Sequence, residues 1–350
     1  MDKTCQNQYD KNIIENEDNA LKHTRTNYKK IIGSIILCGG IYFLLSATFI
    51  YLASYTDHRC PQKHNTPTQW TLPKRLRKSN DKLYPLLNES DWQVSHYKTV
   101  NFPSRSDKVN ISGWYTEINK KAPVVIVVHG IRPNCKSNYE SLLISAMLAK
   151  GKINVLNIDL QNYGDSSKTS KFISYGQKEY LDILGAYDWL RSNGYQSQQI
   201  GVAGLSLGAV TGAIAFSQEQ GLSAIWLDSP YADFNTMFCY ELNSKYLPCF
   251  FSHGVRWLAK TFLGVSPDKI KTTDAVINKG ERAIFITHGT QDTRIPFSHA
   301  ESFVQLARQE QALISHWFVD GEEHLNAMLN YPRLYQAKMV AFFKKNLQSQ

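Results

Sequence analysis

The residues best suited to chemistry are Ser206 inside "GLSLG", Asp292 inside "TQDTRIP" and His324 inside "GEEHLN". A serine hydroxyl is a weak nucleophile, so it needs a general base, and an imidazole base needs a carboxylate to orient it. In that chain order the three residues supply nucleophile, acid and base for acyl transfer. The pattern G-x-S-x-G is weak on its own. With Gly and Ser each near 7% of residues, a chain of this length carries it by chance about one time in ten. Taken singly, Asp292 reads as a turn cap and His324 as a solvated loop histidine. Their weight comes from where the surrounding elements place them.

Strands and helices alternate from about Ser95 onward. "YKTVNF" and "NISGWYTE" read as an antiparallel pair. "PVVIVVHG" (123–130), "INVLNIDL", "QQIGVAG", "SAIWLDSP", "RAIFITHG" and "LISHWFVDG" read as further strands. The apolar, β-branched runs among them suit strands covered on both faces. Helices are expected at "YESLLISAMLAKG", at "QKEYLDILGAYDWLRSNG", after Ser206, at about Ser298–Gln309, and from Ala327 to Gln348. The result is an α/β fold with a mainly parallel sheet and helices on both faces, whose ligands bind at the carboxyl ends of the strands. Ser206, Asp292 and His324 all fall at such ends.

Small residues flank Ser206 because a strained strand-to-helix turn leaves no room for Cβ atoms; Gly204 and Gly208 meet that need. The helix that follows adds a positive field where an oxyanion would form. The loop "HGIRPN" brings the backbone N–H of Ile131 beside that of Leu207, giving two oxyanion donors. His129 and Gly130 shape that loop, and Arg132 reads as solvated. Among competitors, His299 lies near a helix start and His316 within a strand. Asp228, ending the strand before, is the reserve acid.

These residues resemble the α/β-hydrolase superfamily, in particular its single-domain esterase and serine-peptidase-like branches. "VVHGIRPN", "DLQNYGDSS", "GLSLGA", "HGTQDTRIP" and "GEEHLN" follow the family's motifs in order over about residues 95–350. The resemblance implies Ser206 as nucleophile, Asp292 as acid, His324 as base, and Ile131 and Leu207 as oxyanion donors, with no metal or organic cofactor. One departure is Gln161, where the family's "D-x-R-G-x-G-x-S" carries an arginine. Residues 231–270 hold nine aromatics in forty positions, against 12% for the chain. They stand where the family inserts a helical cap; the alternative is an ordinary helix on the sheet.

The net charge of +9 does not form a basic stripe on the catalytic region. Residues 1–30 carry six Lys/Arg against five Asp/Glu, 59–82 carry seven against one, and the chain from Ser95 carries 26 against 21, scattered. Nucleic acid is therefore not the expected partner. A membrane is, because Ile31–Ser54 is a run of 24 residues without a charge, long enough to cross roughly 30 Å of hydrocarbon. Thirty mixed polar residues before it distinguish it from a cleaved signal peptide. The expected organisation is a polar tail (1–30), a transmembrane anchor (31–54), a basic tether (55–94) and an α/β-hydrolase domain (95–350).

Lys11, Lys22, Arg25, Lys29 and Lys30 precede the span, which favours a cytoplasmic N-terminus and an exoplasmic domain. Cys60, Cys135, Cys239 and Cys249 form an even set that suits an oxidising compartment, with three possible pairings, or four reduced thiols. Asn88 and Asn110 begin N-x-S sequons. The expected activity is cleavage of carboxylic ester or thioester bonds in small-molecule, lipid or acylated-protein substrates. The alternatives are a serine exopeptidase and a non-catalytic binding protein on the same scaffold.

Overall fold

The computed structural model describes residues 3–56, 58–73, 76, 87–131, 134–266 and 271–349; for 3–20 it describes the helical backbone alone. Arg132 and most of the basic cluster at 74–78 lie outside the described residues, as does the end of the expected cap at 267–270.

Among the described residues, eight strands make one sheet: β1 (Lys98–Pro103), β2 (Asn110–Thr116), β3 (Val124–Val128), β4 (Asn154–Ile158), β5 (Ile200–Leu205), β6 (Ala224–Asp228), β7 (Ala283–Gly289) and β8 (Ser315–Val319). Their order is β1-β2-β4-β3-β5-β6-β7-β8. The β1/β2 and β2/β4 pairs are antiparallel, and all others are parallel. Strands β3 to β6 are buried at every position. The period of two sends Val124, Ile126 and Val128 into one core and Val125 and Val127 into the other. From β3 the chain crosses to β4 on one side, and from β5 to β6 on the other. The sheet therefore has its switch point between β3 and β5, where the loop after Val128 and the turn at Ser206 meet.

The helices are α1 (Lys3–Ser54), α2 (Tyr139–Lys150), α3 (Tyr180–Ser192), α4 (Leu207–Gln218), α5 (Phe234–Asn243), α6 (Ser252–Leu258), α7 (Asp274–Ile277), α8 (Ser298–Gln309), α9 (Ala327–Asn330) and α10 (Pro332–Asn346). A single terminal helix from Ala327 to Gln348 is corrected by the structure to the pair α9 and α10. Tyr331 leaves helical geometry (φ −127°, ψ 50°), and Pro332, which has no N–H to donate, opens the second helix.

The apolar run 31–54 is the second half of α1, so the helix already begins within the polar tail. Ile35, Ile36, Leu37 and Leu44 are exposed, as a lipid-facing surface would be. Its end differs from a free anchor: Ser46, Phe49, Ile50 and Ser54 are buried against the rest of the chain. Tyr42 stacks on Phe251 at 5.2 Å, and the N–H of Gly254 in α6 donates to the Tyr42 hydroxyl at 2.7 Å. A Cβ at Gly254 would lie 2.5 Å from Ser46 Oγ, so this crossing needs the glycine.

Two disulfides select among the possible cysteine pairings. Cys60–Cys135 ties the segment after α1 to the loop after β3, and Cys239–Cys249 closes the turn after α5.

Candidate active site

Ser206 sits between the last residue of β5 and the first of α4, with φ 55° and ψ −118°. A non-glycine residue holds such a conformation only when its surroundings impose it. Here the Ser206 N–H donates to the Asp228 carbonyl at 2.8 Å, and its own carbonyl accepts from Ala209 at 2.9 Å. Cβ atoms at Gly204 and Gly208 would approach backbone oxygens at 2.3 Å and 2.2 Å, so the turn closes only because both are glycine.

The loop after β3 lies against this turn, since a Cβ on Gly130 would stand 3.3 Å from Ser206 Cβ. Leu207 is the first residue of α4, so its N–H is among those without an acceptor inside the helix. His129 has no free position. Its Nε2 accepts from Leu160 N–H at 3.2 Å, so the proton is on Nδ1, which donates to the Gly130 carbonyl at 2.7 Å. Burial pushes this imidazole below its ordinary range, keeping it neutral.

Asp292 stands in the loop after β7. Its Oδ2 accepts from His324 Nδ1 at 2.7 Å and lies 3.2 Å from His288 Nε2. Its Oδ1 accepts the N–H groups of Arg294 and Ile295 at 2.9 and 2.8 Å. Burial alone would raise this carboxyl, but the bond from His324 and the nearby His288, whose Nε2 donates to the Ile295 carbonyl at 2.9 Å, outweigh it and hold the acid well below the usual carboxylate range. With Nδ1 of His324 donating to Asp292, Nε2 is the ring nitrogen left to act as a base in the neutral imidazole. His324 lines the same groove as Ser206.

Asp228 has other partners. Tyr335 donates to its Oδ2 at 2.7 Å and Ser229 to its Oδ1 at 3.1 Å, and burial pushes it up to about 6. His299 is buried and receives the Ala232 N–H, while the His316 ring lies 4.5 Å from Phe318. Gln161, at the arginine position of the family motif, bonds Asp182 through its backbone N–H (2.8 Å) and side chain (3.3 Å). Burial pushes Asp182 up to about 8, so an uncharged amide faces a carboxyl that is neutral at pH 7.

The pattern of the prolyl oligopeptidase family matches residues 160–350, more than half of the chain. The chain belongs to that family. It is an α/β-hydrolase with a serine-hydrolase-like fold. An esterase of Pyrococcus furiosus superposes with a TM-score of 0.59 at 21% identity, covering 84% of this chain and 99% of its own. The acylaminoacyl peptidase of Pyrococcus horikoshii gives 0.57 at 18%, covering 80% of this chain and 44% of its own. Among sequence relatives, the uncharacterized protein YqkD of Bacillus subtilis (strain 168) is 26% identical over 68% of this chain and 76% of its own. Human protein ABHD12B is 23% identical over 56% of this chain and 53% of its own.

Two cavities meet at Ser206, sharing Ile131 and Arg294. One, of about 290 Å³, is lined chiefly by apolar side chains, including Met237 and Phe238 of α5 and Phe49, Leu52 and Ala53 of α1. The other, of about 540 Å³, adds His324, Asn134, Asn138 and Glu140. A larger groove of about 820 Å³ around Arg59 and Lys136 contains none of Ser206, Asp292 and His324. Among the described residues no cluster of three or more His, Cys, Asp or Glu could hold a metal.

Sequence reasoning missed two contributors. His288 stands four residues before Asp292, inside an apolar strand where a histidine reads as core. The end of α1 was hidden in a run that reads as lipid-facing throughout.

Proposed function

We propose that this member of the prolyl oligopeptidase family is a membrane-anchored serine hydrolase that cleaves carboxylic ester or thioester bonds through an acyl-enzyme. The observation that carries the reading is the histidine–carboxylate pair, His324 Nδ1 to Asp292 Oδ2 at 2.7 Å, in one groove with a strained Ser206. Ser206 Oγ attacks the acyl carbon while His324 Nε2 takes its proton. The oxyanion is met by the N–H groups of Ile131 and Leu207. His324 then protonates the departing alkoxide or thiolate. Water, deprotonated by the same nitrogen, releases the acid and restores the serine.

The substrate is an ester of a small molecule, a lipid or an acylated protein, and nucleic acid has no part in it. Exposed apolar residues along α1 support the anchor. Two disulfides and the five basic residues before the span support a cytoplasmic N-terminus with the domain on the exoplasmic side. A reporter active only in the cytosol, fused after Gln350, should stay silent; activity there would reverse the orientation.

Wild type should label with a fluorophosphonate probe and hydrolyse short p-nitrophenyl esters, and Ser206→Ala should do neither. A Ser206→Ala chain that keeps both would sink the mechanism. A wild type that never labels would favour a binding protein on this scaffold. The exopeptidase reading draws on family membership and the acylaminoacyl peptidase likeness. Faster turnover of aminoacyl than of acyl chromogenic substrates would favour it.

A further inference from the structure

We propose that the last two turns of α1 form a wall of the acyl-binding compartment, so that Phe49, Leu52 and Ala53 of the apolar N-terminal helix select the length of the substrate's acyl chain. The inference rests on the serine-hydrolase reading above. It goes further by making the anchor part of the specificity pocket and by naming a membrane-resident acyl ester as the substrate class.

The wall is fixed in place. Thr56 N–H donates to the Lys171 carbonyl at 2.6 Å, and the Ser54 carbonyl accepts from Ile173 N–H at 2.9 Å. The hydroxyls of Ser54 and Tyr175 are bonded at 3.2 Å. One turn earlier, Phe49 meets Phe238 edge-on at 5.9 Å, and Phe238 meets Tyr175 at 5.3 Å. Helix α1, the cap helix α5 and Tyr175 therefore enclose one compartment beside Ser206. Its charged members are Glu241, Lys245 and Arg294, and Glu241 pairs with Arg294 at 2.9 Å.

An apolar chain gains from such a lining, at about 0.8 kcal/mol for each CH₂ buried. A 150 Å³ apolar cavity holds a benzene ring, so about 290 Å³ accommodates on the order of ten carbons. The second cavity, with Asn134, Asn138 and Glu140, offers hydrogen-bonding groups for a polar leaving group. An amphiphile with its scissile bond between a chain and a polar head fits both.

Depth supplies the source. At 1.5 Å per residue, a span of about 30 Å that begins at Ile31 ends near residue 50. Phe49 to Ala53 then stand at the boundary between acyl chains and headgroups. An ester in that leaflet meets the compartment at the level of its own linkage.

The test uses the full-length chain in detergent micelles and reads the ratio of kcat/KM for p-nitrophenyl decanoate over acetate. Ala53→Trp, which fills the compartment, should lower the ratio at least ~10-fold. Phe49→Ala, which enlarges it, should move the optimum to longer chains and serves where Trp is not tolerated. Leu44→Ala, on the exposed side of α1, should leave the ratio unchanged. Chain-length profiles that match wild type in both wall variants, in enzyme that still labels with fluorophosphonate, overturn this inference and leave the hydrolase reading standing. A wild type that neither labels nor cleaves any ester overturns both.

Discussion

Asp228 at the end of β6 and Asp292 after β7 are both buried, at 2% and 6% exposure, yet their environments drive them in opposite directions. Desolvation pushes each carboxyl up. For Asp292, two histidines and two backbone N–H groups reverse the push. For Asp228 the side-chain donors are two neutral hydroxyls, from Tyr335 and Ser229, and it stays raised at about 6. Depth does not decide which acid can hold an imidazolium; partners do. The Tyr335 hydroxyl is itself committed, because it accepts from Trp226 Nε1 at 2.8 Å in the core. The Asp228 carboxyl is thus tied into core packing, whereas Asp292 is bonded to His324, which lines the groove of Ser206.

That difference breaks most visibly in rate. Asp292→Asn should lower kcat by on the order of 10⁴, because an amide stabilises neither the required tautomer of His324 nor its charged form. Asp228→Asn, measured on the same p-nitrophenyl ester, should stay within about 10-fold of wild type. Equal losses at both positions would mean that the acid is not assigned by its partners. His288→Gln sharpens the same contrast at smaller amplitude. Losing the imidazole that lies 3.2 Å from the charged carboxylate and bonds the Ile295 carbonyl beside it should lower kcat about 10- to 100-fold with KM little changed. It should also shrink the stability that wild type loses as pH falls. A depressed carboxyl stabilises the fold above its unfolded pKa, and that contribution disappears only as pH drops through the folded value. A variant with unaltered acid unfolding would show that His288 does not hold Asp292 down.

How much of this was legible depended on whether a residue's neighbours in sequence were also its neighbours in space. The parallel strands were, because apolar β-branched runs such as "VVIVV" identify themselves within five residues. So were the positions of Ser206, Asp292 and His324, each set by the strand just before it. The partners of Asp228 were not, since Tyr335 lies 107 positions away and nothing local signals it. Cys60–Cys135, separated by 75 residues, was one pairing among three for the same reason. The break at Tyr331 was available in Pro332, but continuous helical spacing on both sides concealed it. The end of α1 was the least legible. Lipid and a protein core reward the same apolar residues, so composition cannot tell a membrane-facing turn from a pocket wall.

In the membrane reading, α6 follows α1 into the leaflet. Trp257 in α6 is 55% exposed and lies 5.7 Å from Phe43, seven residues before the estimated end of the span. In proteoliposomes, lipids brominated on the acyl chain should quench more of the tryptophan emission of wild type than of Trp257→Phe. Equal quenching would place α6 outside the bilayer.

The smallest effect concerns stability alone. Folded Asp228 binds its proton up to about pH 6, while the unfolded residue releases it near 3.8. Between those values the folded state holds the extra proton, so stability falls as pH rises, and the contribution is lost once pH passes about 6. Asparagine mimics the protonated acid and has nothing to lose. Wild type and Asp228→Asn should therefore unfold at similar temperatures near pH 4, with the variant a few degrees more stable at pH 8. Parallel melting curves across that range would mean that Tyr335 and Ser229 hold Asp228 ionised as firmly as the histidines hold Asp292, and the contrast between the two acids would collapse.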